Sequence, residues 1–238
     1  MALTYYFLGT GGVGASPDGT IPPNAVVCTE AQYQDPSQYI INYTTTPYSI
    51  EAISSATALQ IAQANQVAAV SNACATSILQ GFTSSALGAA YTYPAKSTDQ
   101  INMLSSIESS HLIWDIFASD WVAGMTVTIG QYVVANSQLY QATVGGEASS
   151  AGEPAWPIVV DTPVLDGTAQ WELWSTPFWC ADVATGTWAW RDHSAKQMFQ
   201  VGLDGKASIL SSMKQNAVLA AMIAVATTIQ AVEEITWP

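Results

Sequence analysis

The stretch AVLAAMIAVATTIQAV, residues 217–232, decides how the chain is read. It carries no charge, and Val218, Leu219, Met222, Ile223, Val225, Ile229 and Val232 point around most of a helix circumference. A helix apolar on that many sides is buried on several faces. The uncharged run contains Thr227, Thr228 and Gln230 and falls short of the roughly 20 apolar residues that a bilayer span needs. The pattern predicts one helix over 206–234 at the centre of a helical unit, with no membrane insertion. Within it Leu210, Met213, Ala217, Ala220, Ala224, Thr227 and Ala231 step by three and four along a seam of mostly small side chains. Such seams let helices approach closely.

The expected partner within the chain is residues 50–81, where Ile61, Ala64, Ala68, Ser71, Ala75 and Ile78 repeat the same step. Gly81 supplies a C-terminal stop. The two helices can pair with each other in a hairpin, and the same seams can meet copies of themselves across a symmetry axis. Charged flanking positions, which usually specify such pairing, are nearly absent.

Composition narrows the partners. Of 238 residues, 49% are hydrophobic and only 10% charged, against a usual quarter charged. Much of the surface is therefore neutral and polar, or is covered by neighbours. Eighteen acidic against five basic side chains give a formal charge of −13, which repels phosphate backbones and excludes nucleic acid as a partner. Cys28, Cys74 and Cys180 are odd in number and widely spaced, so neither a disulfide framework nor a metal site is expected, and no cofactor. The opening lacks a basic patch and its apolar run is only residues 5–8; no secretory signal is expected, and assembly belongs in a reducing cytosol.

Residues 1–44 read as an extended arm. Gly9, Gly11 and Gly14 fit a dinucleotide fingerprint, but ASPDGTIPPN follows where a helix would have to open, so a hairpin turn is the better account. Thr29 with Gln32 forms a capping box for a short helical turn. After the first long helix, residues 86–93 look like a hairpin closed by Pro94, and Ser97 caps a helix that runs towards Phe117.

The string Gly81, Phe82, Ser84, Ala86, Leu87, Gly88, Tyr93, Pro94, Asp99, Gln100 and Asn102 resembles a domain of uncharacterised function in tail-fibre and tail-associated proteins of tailed bacteriophages. The resemblance resumes at Phe178, Trp179, Cys180 and Asp182, with Gly186, Trp188, His193, Gln197, Val201 and Gly202, and runs through the last helix to Trp237. Ile21, Pro22, Ala25, Val26, Thr29 and Tyr33 are similar to the openings of phage fibre and fibre-assembly proteins. The resemblance implies a virion part without chemistry of its own. With the two seams, it implies a homo-oligomer, a trimer favoured, that contacts other virion proteins.

Residues 118–175 differ in texture. MTVTIGQYVVANSQLYQATV and TAQWEL alternate around a loop, GGEASSAGEPAWP, which is the period of short antiparallel strands. Trp121, Gly130, Val133, Asn136 with Ser137, Leu139 with Tyr140, Ala142 and Trp171 resemble the chitin-binding type of carbohydrate-binding module; Gln131 and Ser137 depart from its pattern. Sugar binding needs flat aromatic faces flanked by amides or carboxylates. The candidates are Tyr132, Tyr140, Trp156, Trp171 and Trp174, with Asn136, Gln138, Gln141 and Glu153 as polar partners. A module of this size also needs Trp121, Tyr140 and Trp171 for its core, and Trp156, beside two prolines, is the aromatic most expected to be exposed.

Asp161, Asp166 and Glu172 are near in sequence, as a glycan hydrolase would require, but acidic residues in turns such as LDGT are usually turn formers. His193 is expected to cap or start a helix with Lys196 and Gln197, and His111 sits among serines. Nothing resembles a nucleophile elbow or phosphate loop, so no enzyme is expected. The expected fold class is α+β: a discontinuous helical domain (45–117 and 176–238) with two long helices and a β-hairpin, an inserted small antiparallel β module (118–175), and an extended N-terminal arm (1–44). The expected role is a structural virion protein, a tail fibre or fibre-like appendage whose insert adheres to host glycan. Alternatives are a head fibre or capsid decoration protein, or a fibre-assembly chaperone.

Overall fold

A computed structural model describes residues 3–9 and 12–238. Among these, five α-helices form: α1 (Glu30–Gln34), α2 (Ser55–Leu79), α3 (Ser97–Leu112), α4 (Ala195–Val225) and α5 (Ile229–Glu233). The chain divides into two compact units, residues 1–70 with 218–238, and residues 71–217.

In the first unit, β1 (Thr4–Phe7), β2 (Val13–Ser16) and β3 (Val26–Cys28) form an antiparallel sheet in the order β2-β1-β3. Strand β2 takes the place of the helix that a dinucleotide site would need; Gly11 lies outside the described residues. Gly14 faces the Tyr6 ring so closely that a Cβ there would enter it. The Thr29–Gln32 box is present, with Gln32 N–H donating to Thr29 Oγ1 at 3.2 Å and Thr29 N–H to Gln32 Oε1 at 2.9 Å. β4 (Tyr39–Asn42) and β5 (Ser49–Ala52) pair as a hairpin.

Around Val70, Leu219, Ile223 and Val232 the N-terminal turns of α2 meet the end of α4 and α5. Gln63 Nε2 donates to the carbonyls of Ile223 (3.2 Å) and Ala226 (3.0 Å), and Gln66 Nε2 to that of Ile235 (2.6 Å). These amides tie α2 to the backbone where α4 ends and beyond α5, with the Ile223 carbonyl also accepting from Ala226 N–H at 3.3 Å. The terminal helix differs from its expected span: it starts at Ala195 and stops at Val225. Thr228 turns extended and its hydroxyl accepts from Ala231 N–H at 3.2 Å, capping α5. A threonine side chain that satisfies a helix start competes with continuation of the helix before it.

In the second unit, β6 (Phe82–Ser84) and β7 (Tyr91–Tyr93) precede α3, which passes into a single π-helical turn at Ile113–Phe117. There follow β8 (Ala118–Asp120), β9 (Thr126–Val127), β10 (Tyr132–Ala135), β11 (Gln138–Val144), β12 (Gly146–Glu147), β13 (Val164–Asp166) and β14 (Ala169–Leu173). Their main sheet has the order β13-β14-β11-β10-β8 and is mixed, because β8 runs parallel to β10. Asn136 and Ser137, at φ 48° and 55°, make the two-residue turn between β10 and β11, the geometry that suits the twist of a hairpin. β15 (Ser175–Asp182) and β16 (Trp188–Ser194) return to the first strands as a sheet ordered β16-β15-β7-β6. Phe82, Tyr93, Met103, Phe178, Met198 and Val201 form the core where this sheet meets α3 and α4. α4 packs closely on α3 and on β6 because Gly202 faces Ile107 and Gly205 faces Phe82, where a Cβ would collide.

These elements overturn the expected fold class. Among the described residues three helices, not two, exceed a couple of turns; strands β1 to β5, between Thr4 and Ala52, form two small sheets rather than an extended arm; and the insert's sheet is mixed rather than antiparallel. The chain is a mixed α/β structure with several sheets. Short strands such as TYYF and VVC carry too little alternation to be seen as a sheet before their partners are known.

The small-residue seams also face the other way from an intrachain contact. Ile61, Ala64, Ala68 and Ala75 on α2, and Leu210, Met213, Ala217 and Ala224 on α4, are exposed. The contacts between the helices use Val67, Val70, Leu219 and Ile223, and Cys74, whose thiol donates to the Ser212 carbonyl at 3.5 Å.

Gly81 ends α2 at φ +105°, with the Tyr93 carbonyl where a Cβ would sit, whereas Gly88 at φ +86° has open space around it. Gly81→Ala is expected to cost about 2–4 kcal/mol in urea unfolding and Gly88→Ala about 1 kcal/mol. Equal costs would show that the backbone contact is unimportant.

Candidate functional site

In the insert, alternation sends one set of aromatics inward. Tyr140 and Trp171 are fully buried, with Val127, Val133, Ala142 and Leu173 around them and Trp121 and Trp156 packed against the cluster. The Trp156 ring lies 4.4 Å from that of Tyr140 and meets Trp171 and Trp121 edge-on at 6.2 and 6.4 Å. Its indole N–H donates to Glu153 at 3.0 Å. Trp156 is thus half-buried, contrary to the expectation drawn from its flanking prolines: a flat ring over Tyr140 buries more area than one left in the loop. Tyr140 donates its hydroxyl to the Pro157 carbonyl at 3.0 Å, and burial pushes the phenol up to about 12. Tyr140 and Trp171 therefore offer no face to a sugar, which corrects their place among the candidates.

Asp166 holds this cluster together. Its Oδ2 accepts from Trp121 Nε1 at 2.7 Å and Trp171 Nε1 at 3.0 Å, and its Oδ1 accepts from Ser149 N–H at 2.8 Å. The carboxylate is buried and engaged by three donors, the form in which a buried charge is tolerated. Asp161 sits exposed in a turn at φ 56°, and Glu172 projects from the opposite face of β14 to Trp171. The three carboxylates do not converge as an acid and base pair would.

The other candidates lie on that opposite face. Tyr132, Gln141 and Glu172 stand side by side across β10, β11 and β14, all half-buried, and Gln141 Nε2 donates to the Tyr132 hydroxyl at 3.1 Å. Trp174, two residues beyond Glu172, shares the face, and its N–H donates to the Leu139 carbonyl at 2.9 Å. Asn136 is exposed at the hairpin turn, while Gln138 has its Oε1 buried without a partner.

His193 does not cap α4. It is fully buried at the end of β16, its Nε2 lies 2.8 Å from the Tyr93 hydroxyl, and its Nδ1 lies 2.7 Å from the Arg191 carbonyl. A carbonyl only accepts, so Nδ1 carries the proton and Nε2 accepts from Tyr93. The cap is Ser194, which exchanges hydrogen bonds with Gln197 at 2.8 and 3.3 Å.

Sequence reasoning missed three tryptophans. Trp179, Trp188 and Trp190 are exposed on β15 and β16; the first two enter the sequence reading only as marks of a resemblance, and Trp190 does not enter it. The signal was there in alternation: Trp179 stands between Phe178 and Cys180, which face the core, and Trp188 and Trp190 are two apart.

No family model matches the chain, and neither does any curated protein or solved structure.

Asp166→Asn should lower stability by about 2–3 kcal/mol, read by unfolding together with loss of tryptophan near-ultraviolet dichroism; an unchanged spectrum would remove Asp166 from this role. Burial holds the His193 imidazole below its ordinary value, which is about 6.5. The unfolded chain therefore takes up a proton that the folded chain refuses, so the contribution is complete above that pH and is lost as pH falls towards the folded-state value. Thermal midpoints should drop on acidification from pH 7 to 5.5, and His193→Gln should flatten that slope; an identical slope would rule the imidazole out as its source.

Proposed function

We propose that this chain is a structural part of a tailed bacteriophage particle: a fibre-like tail appendage, assembled as a homo-oligomer with a trimer favoured, whose insert adheres to host-surface glycan. The observation that supports assembly is the uncovered apolar surface of α4. Leu203, Leu210, Met213, Val218, Met222 and Val225 are exposed, Val225 at 76%. Contiguous apolar surface of this kind marks an interaction site.

The charge distribution supports a second copy as its cover. Between Lys214 and Glu233 no residue is charged, so the acidic excess that would drive copies apart lies elsewhere. α4 is long and apolar enough to cross a membrane by length and composition, but it carries Asp204, Lys206 and Lys214, each costly at the centre of a bilayer. The row Tyr132, Gln141 and Glu172 with Trp174 supplies the insert with half-exposed aromatic and polar groups on one face.

Light scattering of the intact chain in detergent-free buffer at micromolar concentration should give the mass of an oligomer, and Val218→Glu with Val225→Glu should convert it to monomer. A monomeric parent chain would refute self-assembly. Mass spectrometry of purified particles should find the chain; its absence from mature virions would refute a structural role.

A further inference from the structure

The sheet outside the insert carries a second surface that no expectation assigned. In the β15–β16 register Trp179 stands opposite Trp190, and Trp188 opposite Ala181, so the three indoles share one face while Phe178, Cys180 and His193 fill the other. Trp179 and Trp188 lie nearly parallel, 17° between planes and 6.1 Å between ring centres; Trp179 and Trp190 are tilted by 59° at 5.5 Å. They are 38%, 42% and 63% exposed in the order Trp179, Trp188, Trp190.

These rings are not needed for the core, which is closed beneath them by Phe178 and Cys180. They differ from the tryptophans of the insert's core in a second respect. Trp121, Trp156 and Trp171 each place the indole N–H on a carboxylate, whereas among the described residues the N–H groups of Trp179, Trp188 and Trp190 have no protein acceptor. A buried indole finds a partner; these exposed ones keep the N–H open to solvent or to a ligand.

Beside Trp179 and Trp190 the start of α3 forms a wall. Pro94, Asp99, Asn102 and Phe178 line, with Trp179 and Trp190, an open cavity of about 350 Å³. That is within the usual range for a small-ligand site. Asp99 Oδ2 accepts from Lys96 N–H at 3.0 Å. Asn102 is exposed, and Asp99 is the only ionisable side chain that lines the cavity. Arg191, the nearest cation in the strand, lies over the Tyr91 ring instead.

We propose that this tryptophan platform is a binding site for an uncharged oligosaccharide. Apolar CH faces of successive pyranose rings stack on Trp190 and Trp179 and continue towards Trp188, while the Asp99 carboxylate accepts from sugar hydroxyls and the Asn102 amide both donates and accepts. The lone carboxylate and the chain's net charge of −13 repel sialylated and phosphorylated glycans. The ligand class rests on the adhesion reading above; the location, on the sheet of the surrounding domain rather than the insert, does not.

The test uses the intact chain on an array of neutral hexose and N-acetylhexosamine oligosaccharides, with sialylated and phosphorylated counterparts as charged probes. Neutral glycans should bind in preference to anionic ones, and Trp190→Ala and Trp179→Ala should each weaken binding at least about tenfold. The unfolding midpoint and oligomeric mass should be retained, since both rings lie outside the core. Binding that survives both substitutions but is lost in Tyr132→Ala with Trp174→Ala overturns the platform and leaves adhesion to the insert. Absence of binding to every glycan overturns both. Loss of oligomeric mass in Trp190→Ala would make the face an interface between copies and overturn the proposal.

Discussion

The amide of Gln63, set against the carbonyls of Ile223 and Ala226, joins positions 160 residues apart in the chain. Around it Val70, Leu219, Ile223 and Val232 complete a small apolar core. Everything from Ser71 to Ala217 is in effect an excursion between two pieces of one unit. The amides sit where α4 stops at Val225, inside its most apolar run, and add hydrogen-bond partners to backbone carbonyls that must leave water there. The glutamines meet this demand without adding charge to a stretch that has none.

Six of the tryptophans form two groups that differ in what their indole N–H groups meet. In the insert, a single buried carboxylate gathers the Trp121 and Trp171 indoles and a backbone N–H, which fixes these rings against the core. On β15 and β16 the rings stand outside a core already filled by Phe178, Cys180 and His193. A buried network of this kind specifies one arrangement because each member would be costly to leave unpaired.

Local chemistry was legible in the sequence. The Thr29–Gln32 box and the stop at Gly81 each follow from one or two residues, and each is present. Non-local choices were not. A step of three and four finds a face of a helix but not which face is covered, because alanine suits either; the pattern leaves open both an intrachain hairpin and a contact between copies, and Ala64 and Ala217 are exposed. The helix break was hidden because Thr227 and Thr228 interrupt the periodicity so little. Trp156 was assigned to solvent from its prolines, yet the loop folds its ring onto Tyr140. The adhesive candidates were sought only where a module resemblance drew attention, and the alternation of Trp179, Trp188 and Trp190 was passed over.

The split first unit has a consequence for biosynthesis. As the nascent chain leaves the ribosome, the strands of residues 71–217 find all their partners within that segment and need nothing from Val218 onward. Residues 1–70, although made first, wait for the segment that supplies Leu219, Ile223 and Val232. Maturation therefore runs against the usual order in which N-terminal domains fold first. The exposed outer surface of α4 becomes complete only once residues 218–225 have joined it, which delays encounters between sister chains until the segment that closes the first unit is present.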